Sequence, residues 1–557
     1  MGSWLLIDCA LRTTAVLVEE AESGHRIVAK GEARTTVEAE GDVTLGVIAA
    51  VRQIEESCGR RLLKSGGGVL RRKAAGEAGV DHVLVTSSVG GGLQMMVAGL
   101  VRIMTAESAE RAALGAGATV LDVMAIDDGR MPHERIERIR QLRPDMFLLS
   151  GGVDKGNQSD VLEFAREIAQ ANLAETPVVY AGNEAARERV REILGGRCQL
   201  SVVQNVRPVL EDEVLEPTRQ RIQELFMQHV VSKAPGFSEL AAWADRPIVP
   251  STGASSRLIE LIGQLSKQNV LGVTVGDATT DVFSMFGGRF TRTVSADLGL
   301  GHSIANVAVR AGQERLGRFV PAAGDQLMNR LYNLMLQPAE QPTDAVDQAL
   351  QQAAAREAIR LAVEEHRTRA TGLRGVHQER DISNIFDQSS TGQTIVKPLE
   401  LNLVIASAAV FRWTSPQTTA EMLLDALPLE GVTRLAVDHL AVLPHLGVLA
   451  SVDADLGYRV FMRDGLQQLG VAVCPVGRAE AGAPCLTISV AAAGQPAATK
   501  SYAYGQYGIL PVPAGSEVTI QPQPGFDIGA GRGQKVVLSM EESSLGLIVD
   551  TRQRVQS

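Results

Sequence analysis

Residues 270–284 read Val-Leu-Gly-Val-Thr-Val-Gly-Asp-Ala-Thr-Thr-Asp-Val-Phe-Ser. An apolar run from Val270 to Val275 is broken by Gly276-Asp277, then by Thr279, Thr280 and Asp281. A second apolar segment extends from Val282 to Phe286 and ends at Gly287-Gly288. Two β-forming runs around a short polar turn predict a β-hairpin. Its turn presents backbone N–H groups, hydroxyls and a carboxylate. Such groups can hold a phosphate by backbone donors and a magnesium ion through the acid. The same residues also make an ordinary capped turn, so the rest of the chain has to choose between the two.

The 557 residues are enough for about three to four domains, each with its own core. Hydrophobic residues make up 45% and aromatic residues only 4%, so the cores must be filled by Ala, Val, Leu and Ile. A net charge of −10 argues against a nucleic-acid or anionic-membrane binder. Cys9, Cys58, Cys198, Cys474 and Cys485 are scattered without CxxC spacing, so neither a disulfide framework nor a structural zinc site is expected. Residues 1–20 form a strand-like run containing Asp8 and Arg12, unlike a signal peptide. No apolar run reaches the ~18–20 residues of a membrane helix. The expectation is a soluble cytoplasmic protein.

Near the start, apolar runs at 4–7 and 15–18 flank Asp8 and the polar Arg12-Thr13-Thr14, predicting a second hairpin. A helix is expected near 45–56 and a strand at 82–85. That strand leads through Thr86-Ser87-Ser88 and Gly90-Gly91-Gly92 into a helix reaching Val101. From about 118 to 210, strands (119–124, 146–149, 178–181, 199–203) alternate with helices (134–140, 161–170, 184–194), the pattern of a parallel α/β sheet. Two of its strands exit through Ser150-Gly151-Gly152-Val153-Asp154 and Ala181-Gly182-Asn183. Ligands of open α/β sheets sit beyond such strand ends, although glycines there also make plain tight turns.

Residues 211–233 and 345–369 read as solvated amphipathic helices, or as a partner-binding surface. A strand at 401–405 leads into Ala406-Ser407-Ala408-Ala409, and a strand at 435–437 precedes His439 and His445. After about 480, short β runs separated by Pro and Gly predict a small all-β domain. Asp438, His439 and His445 contain metal-ligand types in a mostly apolar run, where a hydrogen-bonded structural role is expected.

The junctions at Asp8–Thr14, Gly276–Asp281 and Ala406–Ala409 come in the order of the two phosphate loops and the adenosine loop of the actin, heat-shock ATPase and sugar-kinase superfamily. More narrowly, the chain resembles the L-type accessory proteins of cobalamin-dependent glutamate mutase. The resemblance runs through most of residues 1–450; the tail from about 480 is similar to the extension of longer members. It implies an α/β fold of duplicated actin-like (ribonuclease H-like) lobes plus the β-rich tail. The expected division is 1–117 for the first part of lobe one, 118–250 for an inserted or adjoining α/β region, 251–480 for lobe two and 481–557 for the tail. It also implies Mg-ATP or Mg-ADP as ligand and a cobalamin-dependent mutase as protein partner. Homo-oligomers are a further possibility of such folds.

On that resemblance Asp8 and Asp281 are the candidate catalytic and metal-binding acids. Arg12, Thr13, Thr14, Gly151, Gly152, Gly276, Asp277, Thr279, Thr280, Ala406 and Ser407 are the candidate nucleotide contacts. The chain departs from the family pattern at each loop. Ala10 and Leu11 replace a glycine and a small hydroxyl residue, and a Cβ at the glycine position blocks close backbone approach to phosphate. Arg12 could supply charge there or fill the phosphate site itself. Thr274 stands where an acid is usual and is a poor metal or water ligand. Ala406, Ala408 and Ala409 replace glycines, each added methyl costing ~1–3 kcal/mol in a tight contact.

Three altered loops favour a pseudo-ATPase that works through protein–protein contact as an accessory or scaffold. The alternative is an active ATP-dependent reactivase that uses Asp8 and Asp281. A small-molecule kinase is the third reading, and it lacks a further visible catalytic acid.

Overall fold

The apolar runs on either side of Asp8 form β1 (Ser3–Cys9) and β2 (Arg12–Ala21), joined by the two residues Ala10-Leu11 and paired antiparallel with Asp8 opposite Thr14. In the computed structural model the described residues are 2–552, excepting 23, 37–40, 73–77, 89–92, 174–175, 230–234, 297, 337–340, 372–393 and 492–497. The predicted Gly90-Gly91-Gly92 segment lies outside them. The chain forms two compact units. The first comprises Met1–Leu258 with Pro444–Val460; the second comprises Ile259–Ala370, Thr394–Leu443 and Phe461–Ser557.

In the first unit β3 (Gly24–Arg34) continues the meander and β4 (His82–Ser87) lies parallel to β1. The chain then leaves to build β5 (Leu93–Gly99), β6 (Ala118–Ala125), β7 (Met146–Leu149), β8 (Pro177–Tyr180) and β9 (Gln199–Val202). It returns as the two-residue β10 (Val249–Pro250), parallel to β4. The home sheet therefore has the order β3-β2-β1-β4-β10.

The excursion is an all-parallel sheet of order β6-β5-β7-β8-β9. Counted from its own first strand this is 2-1-3-4-5, the flavodoxin-like doubly wound order. Helices Glu107–Gly115 and Glu216–His229 share a core with Met95, Val97 and Leu148 on one face. Helices Pro132–Leu142, Ser159–Ala171 and Arg187–Leu194 cover Met96, Ala98, Phe147 and Leu149 on the other.

Residues 93–99 are a strand, correcting the predicted helix through Val101. As a central strand β5 is buried on both faces, so its apolar run carries no alternation to distinguish it from a helix. A Cβ on Gly99 would lie 2.4 Å from the Ala106 backbone nitrogen, so this glycine allows a close approach of chain segments.

The second unit repeats the first sheet's plan. The hairpin β11 (Val270–Val275) and β12 (Thr280–Phe286) is followed by β13 (Arg289–Ser295), and then by the parallel strands β14 (Leu403–Ala408) and β15 (Gly431–Asp438). The order β13-β12-β11-β14-β15 is again 3-2-1-4-5, with the same strand directions. Two such sheets in one chain are the duplicated ribonuclease H-like, actin-like plan.

The sheet continues through β16 (Leu466–Cys474). In the tail, β17 (Pro484–Ala491), β18 (Ala498–Ala503), β20 (Glu517–Pro522) and β21 (Val536–Ser539) form a separate antiparallel sheet, while β19 (Tyr507–Leu510) and β22 (Leu547–Asp550) extend the lobe's own sheet beyond β16. The tail is all-β, and two of its strands belong to the lobe.

Helix Ala345–Arg369 corrects the expectation of a solvated face. Ala353, Ala354, Ala355, Ala358 and Ala362 are fully buried in the core of the second unit. Alanine rungs let the helix lie close to its neighbours while adding little apparent hydrophobicity to the sequence.

Candidate functional site

Asp8 is the penultimate residue of β1. Its side chain is buried, and Oδ1 accepts hydrogen bonds from Thr86 Oγ1 (2.7 Å) and Ser251 Oγ (2.5 Å). Burial raises its pKa above the ordinary carboxylate value, against the lowering effect of those two hydroxyls and of Lys30. The other candidate side chains of this hairpin bond within the unit. Arg12 pairs with Glu32, Thr13 Oγ1 lies 2.9 Å from Thr35 Oγ1, and Thr14 Oγ1 lies 2.9 Å from His445 Nε2.

His445 Nε2 is also 3.3 Å from the Thr14 carbonyl oxygen. A carbonyl only accepts, so Nε2 carries the proton of a neutral imidazole. Burial, aided by Lys30, depresses this histidine to a pKa of about 3. Its metal-ligand reading gives way to a hydrogen-bonded one.

The matching hairpin of the second unit is a four-residue loop closed by Gly276 N–H donating to Thr279 O at 2.9 Å. Leu300 N–H donates to Gly276 O (2.9 Å) and Gly301 N–H to Asp277 O (2.8 Å). A Cβ on Gly299 would lie 2.2 Å from the Asp277 carbonyl oxygen, so the chain can lie this close to the loop only with glycine at 299. Thr280 Oγ1 donates to Leu298 O, and Thr279 Oγ1 is 3.5 Å from Asp281 Oδ2.

Asp281 Oδ1 accepts from Arg292 Nε (2.9 Å) and Nη2 (2.5 Å) in a buried pair. Ala406 is fully buried in β14 between Val273 and Val437. Beside it Ser407 Oγ donates to Asp438 Oδ2 (3.0 Å), and Asp438 accepts the N–H groups of Val442 and Leu443.

The repeated topology pairs these residues. Asp8 and Thr274 are each the penultimate residue of the first strand, and their parallel neighbours are Thr86 and Ser407. In the first unit the neighbour's hydroxyl serves Asp8; in the second it serves Asp438, because Thr274 has no carboxylate to offer.

Gly151 and Gly152 belong to the inserted sheet, where the strand order reverses between β5 and β7. Open α/β sheets bind ligands outside this point. A Cβ on Gly151 would meet Leu100 Cδ1 at 2.1 Å, and Gly152 has φ +70°. Asn205 Nδ2 donates to Gly152 O and to Asp154 Oδ1, both at 3.0 Å, and Asn183 Oδ1 accepts from Lys155 N–H. The Ser150–Asp154 and Ala181–Asn183 exits thus form one hydrogen-bonded cluster. Ser150 Oγ is buried without a partner among the described residues.

Sequence reasoning singled out Asp8 and Asp281 as candidates but did not anticipate the residues that bond to them. Thr86 and Ser251 are 78 and 243 residues from Asp8, so local pattern could not reveal them. Arg292 was within reach, on the next strand of the same meander. Among the described residues no group of three His, Cys, Asp or Glu side chains could hold a metal ion, and no helix is long and apolar enough to cross a membrane. For a magnesium nucleotide the residues fit only in part. Asp8 offers an acid, whereas the hydroxyls and the second acid already bond within the protein.

The model of the MutL protein family matches residues 4–464. Protein MutL of Clostridium tetanomorphum is 30% identical over 341 residues, 58% of this chain and 69% of that protein. Among solved structures, acetone carboxylase in its nucleotide-free state is similar over 90% of this chain and 81% of its own, at 13% identity and a TM-score of 0.34. A glycerol dehydratase reactivase is similar over 81% of this chain and 100% of its own, at 11% identity and a TM-score of 0.30.

Proposed function

The chain belongs to the MutL protein family, the glutamate mutase L family, and from that premise we propose that it is an accessory or reactivating protein for a cobalamin-dependent mutase, acting through protein–protein contact with little or no ATP hydrolysis. The observation that carries the second half is the internal use of the loop side chains. Thr13, Thr14, Thr280 and Ser407 bond to Thr35, His445, Leu298 and Asp438, and Asp281 to Arg292. A nucleotide would have to displace these bonds, and a buried acid deprived of its arginine is strongly disfavoured.

Asp8 is the residue we assign to any magnesium-bound water, since its carboxylate is held by two neutral hydroxyls and, among the described residues, no cation bonds to it directly. Gly276, Asp277 and Thr279 would offer backbone contacts to phosphate, and Arg12 a charge, if nucleotide binds. Gly151 and Gly152 stand on another sheet, and we assign them to that sheet's own switch point. A mutase arrested with damaged cofactor needs only a binding partner that prefers its open state. That task requires no hydrolysis of the partner's own.

The test is isothermal titration of the full chain with ATP and ADP, with and without magnesium, alongside co-purification with a cobalamin-dependent glutamate mutase. Mutase binding that proceeds without nucleotide supports the proposal. Micromolar magnesium-dependent nucleotide binding with turnover lost in Asp8→Ala would replace it with the active reactivase. No mutase association under either condition would sink both.

A further inference from the structure

The parallel strands of the second unit carry the nucleotide-type loops at their carboxyl ends; a cavity of about 270 Å3 opens at their other end. Gln268 lies two residues before β11, Asn402 immediately before β14, and Arg434 near the start of β15. Six residues of β14 separate this end from the loops, roughly 20 Å at 3.3 Å per residue. The far wall is β21 with residues 540–543 of the tail.

The wall formed by β15 and β16 is irregular where it meets the cavity. Leu435 pairs with Gly470 and Ala436 with Gln468, so Leu469 is an extra residue in β16. Such bulges re-aim side chains and recur beside binding sites. The bulge is held open by the tail, with Ser544 N–H donating to Gln468 O and Leu545 N–H to Leu469 O. Gly470 permits the approach, since a Cβ there would lie 2.5 Å from Gly546 O.

Charges of both signs line the cavity. Arg434 donates to Gln268 Oε1 (2.5 Å) and Glu541 Oε1 (3.1 Å), which fixes the guanidinium in place. Glu542 and the Gln468 side-chain amide also line the cavity, and no described residue bonds to either side chain. The size lies just under the usual range for small-molecule sites. A single arginine facing two glutamates is the wrong lining for a polyphosphate, and the volume is too small for a nucleotide.

We propose that this cavity binds a small zwitterion of amino-acid size. Its carboxylate would meet Arg434 and the Gln468 amide, and its ammonium Glu542. Arg434 holds a planar fork suited to a carboxylate, and Glu542 supplies the acceptor that an ammonium needs. Because the tail forms one wall, occupancy ties residues 538–543 to the amino ends of the lobe's strands. The site is independent of nucleotide chemistry at the other end of the sheet.

The test is a thermal-shift screen of the full chain against the proteinogenic amino acids at neutral pH, followed by titration calorimetry of the best binder and of its N-acetyl amide. The expected result is saturable binding of the free amino acid. It should weaken about tenfold or more in Glu542→Gln, the effect of losing one charge-assisted bond, and be absent for the capped form. Glu542 lies on a connecting segment outside any strand, so this variant should fold; Gln468→Ala provides a second, uncharged probe. No binder in the panel, equal affinity in both variants, or equal affinity for the capped form would each overturn the proposal.

Discussion

Asp281 and Arg292 face each other across adjacent strands, with one carboxylate oxygen accepting from both Nε and Nη2 in a pair that is almost wholly inaccessible to solvent. Arg292 also lies 5.8 Å over the Phe283 ring. The acid that looked most like a magnesium ligand is thus neutralised by its own meander.

Removing only the arginine leaves a buried charge. Arg292→Met should destabilise the protein by about 3–5 kcal/mol, whereas Asp281→Leu combined with Arg292→Met should be far milder. Equilibrium denaturation of the single and double variants reads the difference. Equal losses would mean that the pair contributes through packing alone.

His366 and His445 should make the protein acid-sensitive. His366 sits between Thr293 Oγ1 and Ser284 Oγ, and burial depresses both histidines to a pKa of about 3. The unfolded chain takes up protons near pH 6.5 while the folded chain does not. Stability therefore falls as pH drops from about 6.5 towards 3, by up to ~1.4 kcal/mol per pH unit for each histidine. Denaturation at pH 7, 6 and 5 should show this slope, and His366→Gln should reduce it.

Asp8 has the opposite sign. Its folded pKa is raised, so the stability it contributes is present below the ordinary value of 3.8 and is lost as pH rises through the folded value. Asp8→Asn should raise the melting temperature at pH 7, with the gain vanishing towards pH 4. An unchanged melting temperature at pH 7 would show that the ionised carboxylate is better compensated than Thr86 and Ser251 suggest.

Restoring glycine at the adenosine-type loop should separate crowding from the loss of polar groups. Ala408→Gly with Ala409→Gly is expected to tighten ATP binding about tenfold or more, if two methyl groups are what exclude the base. Ala406→Gly adds about 0.5–1 kcal/mol of strand destabilisation, because Ala406 lies buried within β14. Calorimetry with ATP decides; no gain would leave the internal hydrogen bonds as the obstacle.

Gly299→Ala tests the loop itself. Its Cβ would collide with the Asp277 carbonyl, and overpacking of this kind costs about 1–3 kcal/mol. Chemical denaturation should register that loss, while Gly287→Ala, at φ +55° with open space around it, should show only backbone strain.

Both hairpins were legible because alternating apolar runs and a short polar turn sit next to each other in sequence. The repeated order 3-2-1-4-5 was not, because β4 and β10 are separated by 161 residues of excursion (residues 88–248). The inserted sheet could be read from its alternation of strands and helices except at β5, where burial on both faces removed the period. Asp438 illustrates the site. It is an unremarkable strand-end acid in sequence, yet it receives Ser407, a residue 31 positions earlier. The tail's β runs were visible, but which of them would join the lobe depends on register with β16, and no local feature encodes that.

The first unit is not finished when its first 258 residues have been made. Residues 444–460 complete it, and His445 then closes on Thr14. During synthesis on the ribosome, a chain stalled before residue 444 would therefore leave Thr14 without its imidazole and the unit without its last helices. Fragments cut at the apparent lobe boundary should accordingly behave as folding intermediates, prone to chaperone capture and proteolysis, as should chains terminated before residue 444.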